Sequence, residues 1–104
     1  MLISNIETVP GHTITEFYGV ATGSTVRAKH LGRDIMAGLK NMVGGELKGY
    51  TELLQEARKE AIARMQAQAE SMGANAVVNV RFSTSSISQG AAELFAYGTA
   101  VRVV

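Results

Sequence analysis

Residues 51–82 constrain the fold more than any other stretch of the chain. They read TELLQEARKEAIARMQAQAESMGANAVVNVRF, which predicts one long helix, a stop and a buried strand. Apolar residues recur there at spacings of three and four, as on one face of a helix: Leu54, Ala57, Ala61, Met65, Ala69 and Met72. Thr51 is the predicted N-cap. Gly73 is the predicted stop, because the residue after a helix end often needs a positive φ.

The apolar stripe of this helix is unusual because three of its members are alanine: Ala57, Ala61 and Ala69. Small side chains let another backbone approach closely, so we expect the helix to lie flat on a sheet. Arg58 and Gln68 project close to the same stripe. Either their stems cover apolar surface while their polar ends reach water, or they hydrogen-bond across a subunit boundary.

The other segments complete the prediction of a single α+β domain over residues 1–104. Their composition and apolar spacing predict a short edge strand at 2–6, a long strand at 13–27, a first helix at 29–43, a strand at 74–82 and a last strand at 92–104. Residues 83–90, STSSISQG, are either a hairpin loop or a fraying strand. The predicted order is β-α-α-β-β, with a three-stranded antiparallel sheet covered by the long helix.

The sheet face away from this helix is predicted to be apolar. Alternation along the last two strands places five residues on it: Val77, Phe95, Tyr97, Val101 and Val103. An exposed apolar patch of this kind usually marks an interface. We therefore expect a homo-oligomer, most simply a closed ring.

Composition excludes several functions. Cysteine is absent, which removes disulfides, thiolate nucleophiles, iron–sulfur clusters and thiolate zinc sites. The net charge of +1, with few aromatic residues, is a weak footprint for nucleic acid. The sequence contains no run of about 18 apolar residues, so no membrane span is predicted. The N-terminus has no signal-peptide pattern, so the expected location is cytoplasmic.

The best candidate for metal binding is His30 with Asp34, which would lie one helical turn apart in the predicted first helix. His12 and Glu16 have the same spacing but fall on a predicted strand entry. Zinc needs three or four ligands, so a site would have to combine residues from neighbouring subunits. Alternatively, His30 and Asp34 form a solvated helix start, where the dipole favours Asp34.

A second candidate is an anion pocket in the segment TGSTVR and the basic residues after it. Hydroxyls and amides would come from Thr22, Gly23, Ser24 and Thr25, with Arg27, Arg33 and Lys40 beside them. The spacings of known phosphate-binding loops are absent. No sequence context activates a serine or threonine as a nucleophile, so catalysis is not predicted.

Several segments together resemble one family. These are GVATGSTVRAKHLGRDIMAGLKNMVGGELKGYTELLQEARKEAIARM, GANAVVNVRFSTSSI and AYGTAV. With them the chain, from about residue 9 to its end, closely resembles the YbjQ-type family of small bacterial and archaeal proteins, which carries a heavy-metal-binding label. Asn79 and Ser83 stand where that family more often has Gly and Asp. Ser83 thereby removes a carboxylate, a possible ligand, which weakens the metal interpretation.

The resemblance implies a dodecin-like subunit assembled as a pentameric ring, single or stacked in pairs. Three function classes follow: a ring that binds a metal ion, expected to be divalent, or a small ligand; a structural or protein-interaction ring without such a ligand; and an enzyme with a site between subunits. The family label favours the first class. The poverty in His, Asp and Cys argues against the third.

Overall fold

The computed structural model describes residues 1–28, 42–43, 46–88 and 91–104. They form six strands and one long helix, in this order: β1 (Leu2–Ile3), β2 (Ile14–Ala28), β3 (Met42–Val43), β4 (Glu46–Leu47), α1 (Lys48–Ser71), β5 (Ala76–Ser88) and β6 (Ala91–Val103). The predicted α+β class is confirmed.

The main sheet has four strands, in the order β1-β5-β6-β2. The prediction of three strands was therefore wrong by one. The extra strand is β1, which pairs parallel to β5, while the pairs β5–β6 and β6–β2 are antiparallel. The predicted edge strand at 2–6 thus exists, but it belongs to the main sheet. Its ladder continues irregularly, because the Asn79 and Val80 amides donate to the carbonyl oxygens of Ile6 and Ser4.

Helix α1 begins at Lys48, about one turn before the predicted N-cap at Thr51. Its end matches the prediction. Gly73 has a φ of +96°, and the Gly73 and Ala74 amides donate to the carbonyl oxygens of Glu70 and Ala69 at 3.0 and 3.1 Å. These two bonds are those of a Schellman motif, which requires the left-handed conformation that glycine adopts without a Cβ clash.

The alanine stripe of α1 packs directly on the sheet. Ala57, Ala61, Met65 and Ala69 are fully buried. The last three form one cluster with Ala21 of β2 and Ala96 and Ala100 of β6. Leu54, at the start of the stripe, remains partly exposed. Small residues on both layers bring the backbones close together, as expected for a helix lying flat on a sheet.

A second cluster lies on the opposite face of the sheet, which we call the outer face. It consists of Val9, Ala76, Val78, Val101 and Val103. Val9 belongs to the segment between β1 and β2, so the chain covers one end of its own outer face. The prediction that Val101 and Val103 are uncovered was therefore wrong.

Val77 lies on the helix side of the sheet, where it is fully buried. The prediction had placed it on the outer face. The cause is a β-bulge between Val78 and Arg81, where Asn79 has a φ of +54°. The extra residue breaks the alternation of faces, so Val77 and Val80 share one face although their spacing is odd.

Two predicted segments differ in their outcome. Of the first helix at 29–43, residues 29–41 lie outside the described residues, and Met42–Val43 is a short strand paired with Glu46–Leu47. The segment 83–88 continues strand β5, which favours the strand over the loop. In the described ranges, the structure contains no helix with the length and hydropathy of a membrane span.

Candidate functional site

The most distinctive surface of the described chain is the uncovered part of the outer face, along β2. Phe17, Val20 and Val26 are 75 %, 65 % and 55 % exposed. Their register partners on β6 lie on the same face. Next to them, the rings of Phe95 and Tyr97 stack with centroids 5.5 Å apart. We call this group the apolar face, defined by Phe17, Val20, Val26, Phe95 and Tyr97.

The alternation of β2 explains why these residues are exposed. Thr25 is 1 % exposed and its hydroxyl donates to the Ala57 carbonyl oxygen of α1 at 3.1 Å. Gly23 lies beneath Ala61 and Met65 of the same helix. From Val20 onward every second residue therefore turns toward α1, and those between them turn to the outer face. Phe17 shares that face at an odd spacing because a β-bulge between Phe17 and Gly19 shifts the alternation.

This alternation separates the residues of the predicted anion pocket. Thr22 and Ser24 lie on the outer face, whereas the Thr25 hydroxyl is buried under α1 and already engaged. The Arg27 backbone lies in β2, and Arg33 and Lys40 are outside the described residues. The pocket as a whole remains a prediction, since the basic residues that would complete it are not placed.

Two side chains of α1 close the free edge of β2. The Thr22 amide donates to the Gln68 Oε1 at 2.6 Å, and the Arg64 Nη1 donates to the Ser24 carbonyl oxygen at 2.6 Å. Arg64 also forms an ion pair with Glu60, one turn away. Gln68 thus hydrogen-bonds within its own subunit. Of the two polar residues predicted to project beside the apolar stripe, Gln68 makes this contact, whereas the Arg58 Nε donates to the Leu54 carbonyl oxygen of its own helix at 3.2 Å. The contact of Arg64 with β2 was not predicted.

The described residues do not form a metal site within one subunit. No group of three or more His, Asp or Glu side chains lies close enough together in the part of the chain that is described. His12 is exposed, and the Glu16 Oε2 accepts a hydrogen bond from the Tyr18 hydroxyl at 2.7 Å. His30 and Asp34 lie outside the described residues, so their role stays a prediction.

An open cleft of about 430 Å³ lies between the N-terminus and the end of α1. Its lining is formed by Met1, Leu2, Glu70, Ala74 and Asn75. The side-chain amide of Asn75 is already bonded to strand β6. Its Nδ2 donates to the Val103 carbonyl oxygen, and its Oδ1 accepts from the Val103 backbone N–H. Glu70 is the one carboxylate among the described residues of this lining, so these residues offer little to bind an ion.

Comparisons with known proteins agree with the resemblance described above. The YbjQ family model, described as "Putative heavy-metal-binding", matches residues 1–104. A UPF0145 protein of Hahella chejuensis is 70 % identical over 101 residues, covering 97 % of each chain. A UPF0145 protein of Archaeoglobus fulgidus is 59 % identical over 103 residues, covering 99 % of this chain and 95 % of its own.

A solved structure has the same fold. It is a protein of unknown function from Pediococcus pentosaceus, assigned to the DUF74 family. It matches with a TM-score of 0.69 at 13 % identity, covering 100 % of this chain and 98 % of its own. The sequence matches are strong enough to decide the family, and the chain belongs to the YbjQ family of UPF0145 proteins.

Proposed function

We propose that the protein is a ring-forming homo-oligomer, a pentamer or a pair of stacked pentamers, that binds a metal ion or small ligand between its subunits. The observation that carries the assembly is the apolar face. Burying Phe17, Val20 and Val26 removes three large side chains from water, each worth roughly 1 to 2 kcal/mol when fully covered. In a single subunit these side chains stay exposed, so the free energy of burying them is not gained.

The placement of the ligand between subunits is supported by the composition of one subunit. The described residues bring no three ligands together, and the chain has no cysteine. In a ring, symmetry brings the same pair of ligands from each subunit to a shared axis or interface, so the number of ligands at that place increases. His30 with Asp34 is the pair we propose, and the family's heavy-metal-binding description is consistent with it.

The second candidate function is a structural or protein-interaction ring without a small ligand. The same apolar face supports it, and the separation of Thr22 and Ser24 from Thr25 favours it over an anion-binding ring. An enzyme with a site between subunits is the third candidate. The poverty of the sequence in His, Asp and Cys argues against it.

Native mass spectrometry on freshly purified, untagged protein tests both parts. A mass of five or ten subunits is expected, and a single-chain mass would contradict the assembly. Retained metal or ligand appears as excess mass. Titration with Zn²⁺ or Ni²⁺ should then raise the melting temperature, and His30→Ala should abolish that rise. A ring whose melting temperature no metal changes would favour the structural ring.

A further inference from the structure

The two outer edges of the main sheet differ in how far the rest of the described chain covers them. The edge of β2 is closed at its centre, because Gln68 and Arg64 of α1 occupy the Thr22 amide and the Ser24 carbonyl oxygen. A free strand edge is a template for pairing with another chain, and side chains that cover it suppress such pairing. The fold thus makes strand addition to the middle of β2 unfavourable.

Within the described chain, the edge of β5 is closed only in its first half. Strand β1 pairs with Ala76 and Val77, and the last bonds of the N-terminal segment reach Asn79 and Val80. Arg81 then donates to the Asn5 carbonyl oxygen. From Phe82 to Ser88 no other strand of the described chain lies beside β5 on this side. About half of the backbone amides in such an edge point away from the neighbouring strand.

The composition of this distal edge lacks the features that normally block pairing. Residues 82–88 read FSTSSIS, with no charged residue and no proline. Residues 81–87 are all exposed, and Phe82 and Ile87 are about half exposed as large apolar side chains. Thr, Ile and Phe favour the strand conformation. Because the segment is uncharged, a second copy that pairs with it would meet no charge repulsion.

We propose that the distal edge of β5, Phe82 to Ser88, pairs antiparallel with the same edge of a second copy across a twofold axis. This inference rests on the proposed self-association but not on the ring. A ring needs a heterologous contact, whereas a twofold contact is self-complementary. The apolar face would serve the first kind of contact and the β5 edge the second, which joins two subunits or two rings.

The test uses the absence of cysteine from the chain. Single cysteines are introduced as Ser83→Cys, Thr84→Cys, Ser85→Cys and Ser86→Cys, and each protein is oxidised in dilute solution. In an antiparallel twofold pair, one residue lies opposite its own copy, with Cβ atoms about 5 Å apart. A disulfide-linked dimer is therefore expected at one of the four positions, with much less at the others. The exposed Ser71→Cys, at the end of α1, is the control and should stay unlinked.

A second measurement needs no substitution. Hydrogen exchange of the unmodified oligomer should show protection, by about tenfold or more, of those amides of residues 82–88 that point away from β6. Rapid exchange there in a protein that is oligomeric by native mass spectrometry would overturn the edge pairing and leave the ring intact. A monomeric mass would instead overturn the proposed function.

The alternative contact, β5 against β2 of the next copy, has its own signature. Ser85→Cys and Val26→Cys proteins, mixed before oxidation, would cross-link with each other and not with themselves. That result would overturn the twofold pairing.

Discussion

Gly23 of β2 lies so close to Ala61 of α1 that a Cβ at Gly23 would overlap the Ala61 carbonyl oxygen and the Met65 amide nitrogen. The atoms it would meet belong to the helix backbone, which cannot rotate away as a flexible side chain can. Packing therefore requires a glycine at position 23 of the TGST segment, because the helix lies directly on the strand at this point.

Gly23→Ala should therefore destabilise the protein by about 3 kcal/mol, the upper range for inserting atoms into a packed core. Urea unfolding followed by circular dichroism measures the change. Ser24→Ala is the matched control, because it alters the neighbouring residue on the outer face, and it should change the free energy of unfolding by less than about 0.5 kcal/mol. Equal stability of Gly23→Ala and the natural protein would show that the helix can shift away from β2.

The helix was the most predictable part of the fold, for a local reason. Its apolar spacing and its glycine stop depend on residues within a few turns of each other, so the stop at Gly73 and its positive φ could be predicted from the sequence. The effect of the alanines in the stripe is also local, because small side chains let any packing partner approach the helix closely.

The outer face was less predictable because its cover comes from far away in the chain. Val101 and Val103 alternate as exposed residues would, but Val9 packs on them from the segment before β2. Val77 was assigned to the wrong face because a bulge at Asn79 changes the alternation, and one asparagine is a weak signal for a bulge. Of the proposed apolar face, Phe95 and Tyr97 were predicted, whereas Phe17, Val20 and Val26 were not.

Asn79 gives the second prediction. Its φ of +54° is in the left-handed region, which glycine reaches freely and asparagine tolerates better than other residues with a Cβ. Asn79→Ala should destabilise the protein by about 1 kcal/mol, while Asn79→Gly should keep its stability. Urea unfolding of the two variants side by side is the check. If alanine were as stable as glycine, the left-handed conformation would not be required at the bulge.

Gln68 gives the third prediction, because it supplies the acceptor for the Thr22 amide on the edge of β2. Gln68→Ala should cost about 1 kcal/mol and should speed hydrogen exchange of the Thr22 amide by about tenfold. Gln66→Ala, two positions away on the same helix, is the control and should leave that amide unchanged. An unaltered exchange rate in Gln68→Ala would mean that another group protects the edge.

Phe17 gives the last prediction, which concerns assembly. Its side chain is 75 % exposed in a single subunit, so the fold of that subunit gains little from it. Phe17→Lys should retain the circular dichroism spectrum but place a charge in the apolar face, where burial without a partner is costly. Light scattering during size-exclusion chromatography should then give a smaller mass than for the natural protein. Gln55→Lys introduces the same charge on the exposed side of α1 and should leave the mass unchanged. If Phe17→Lys assembled as fully as Gln55→Lys, the subunits would have to meet through a surface other than the apolar face.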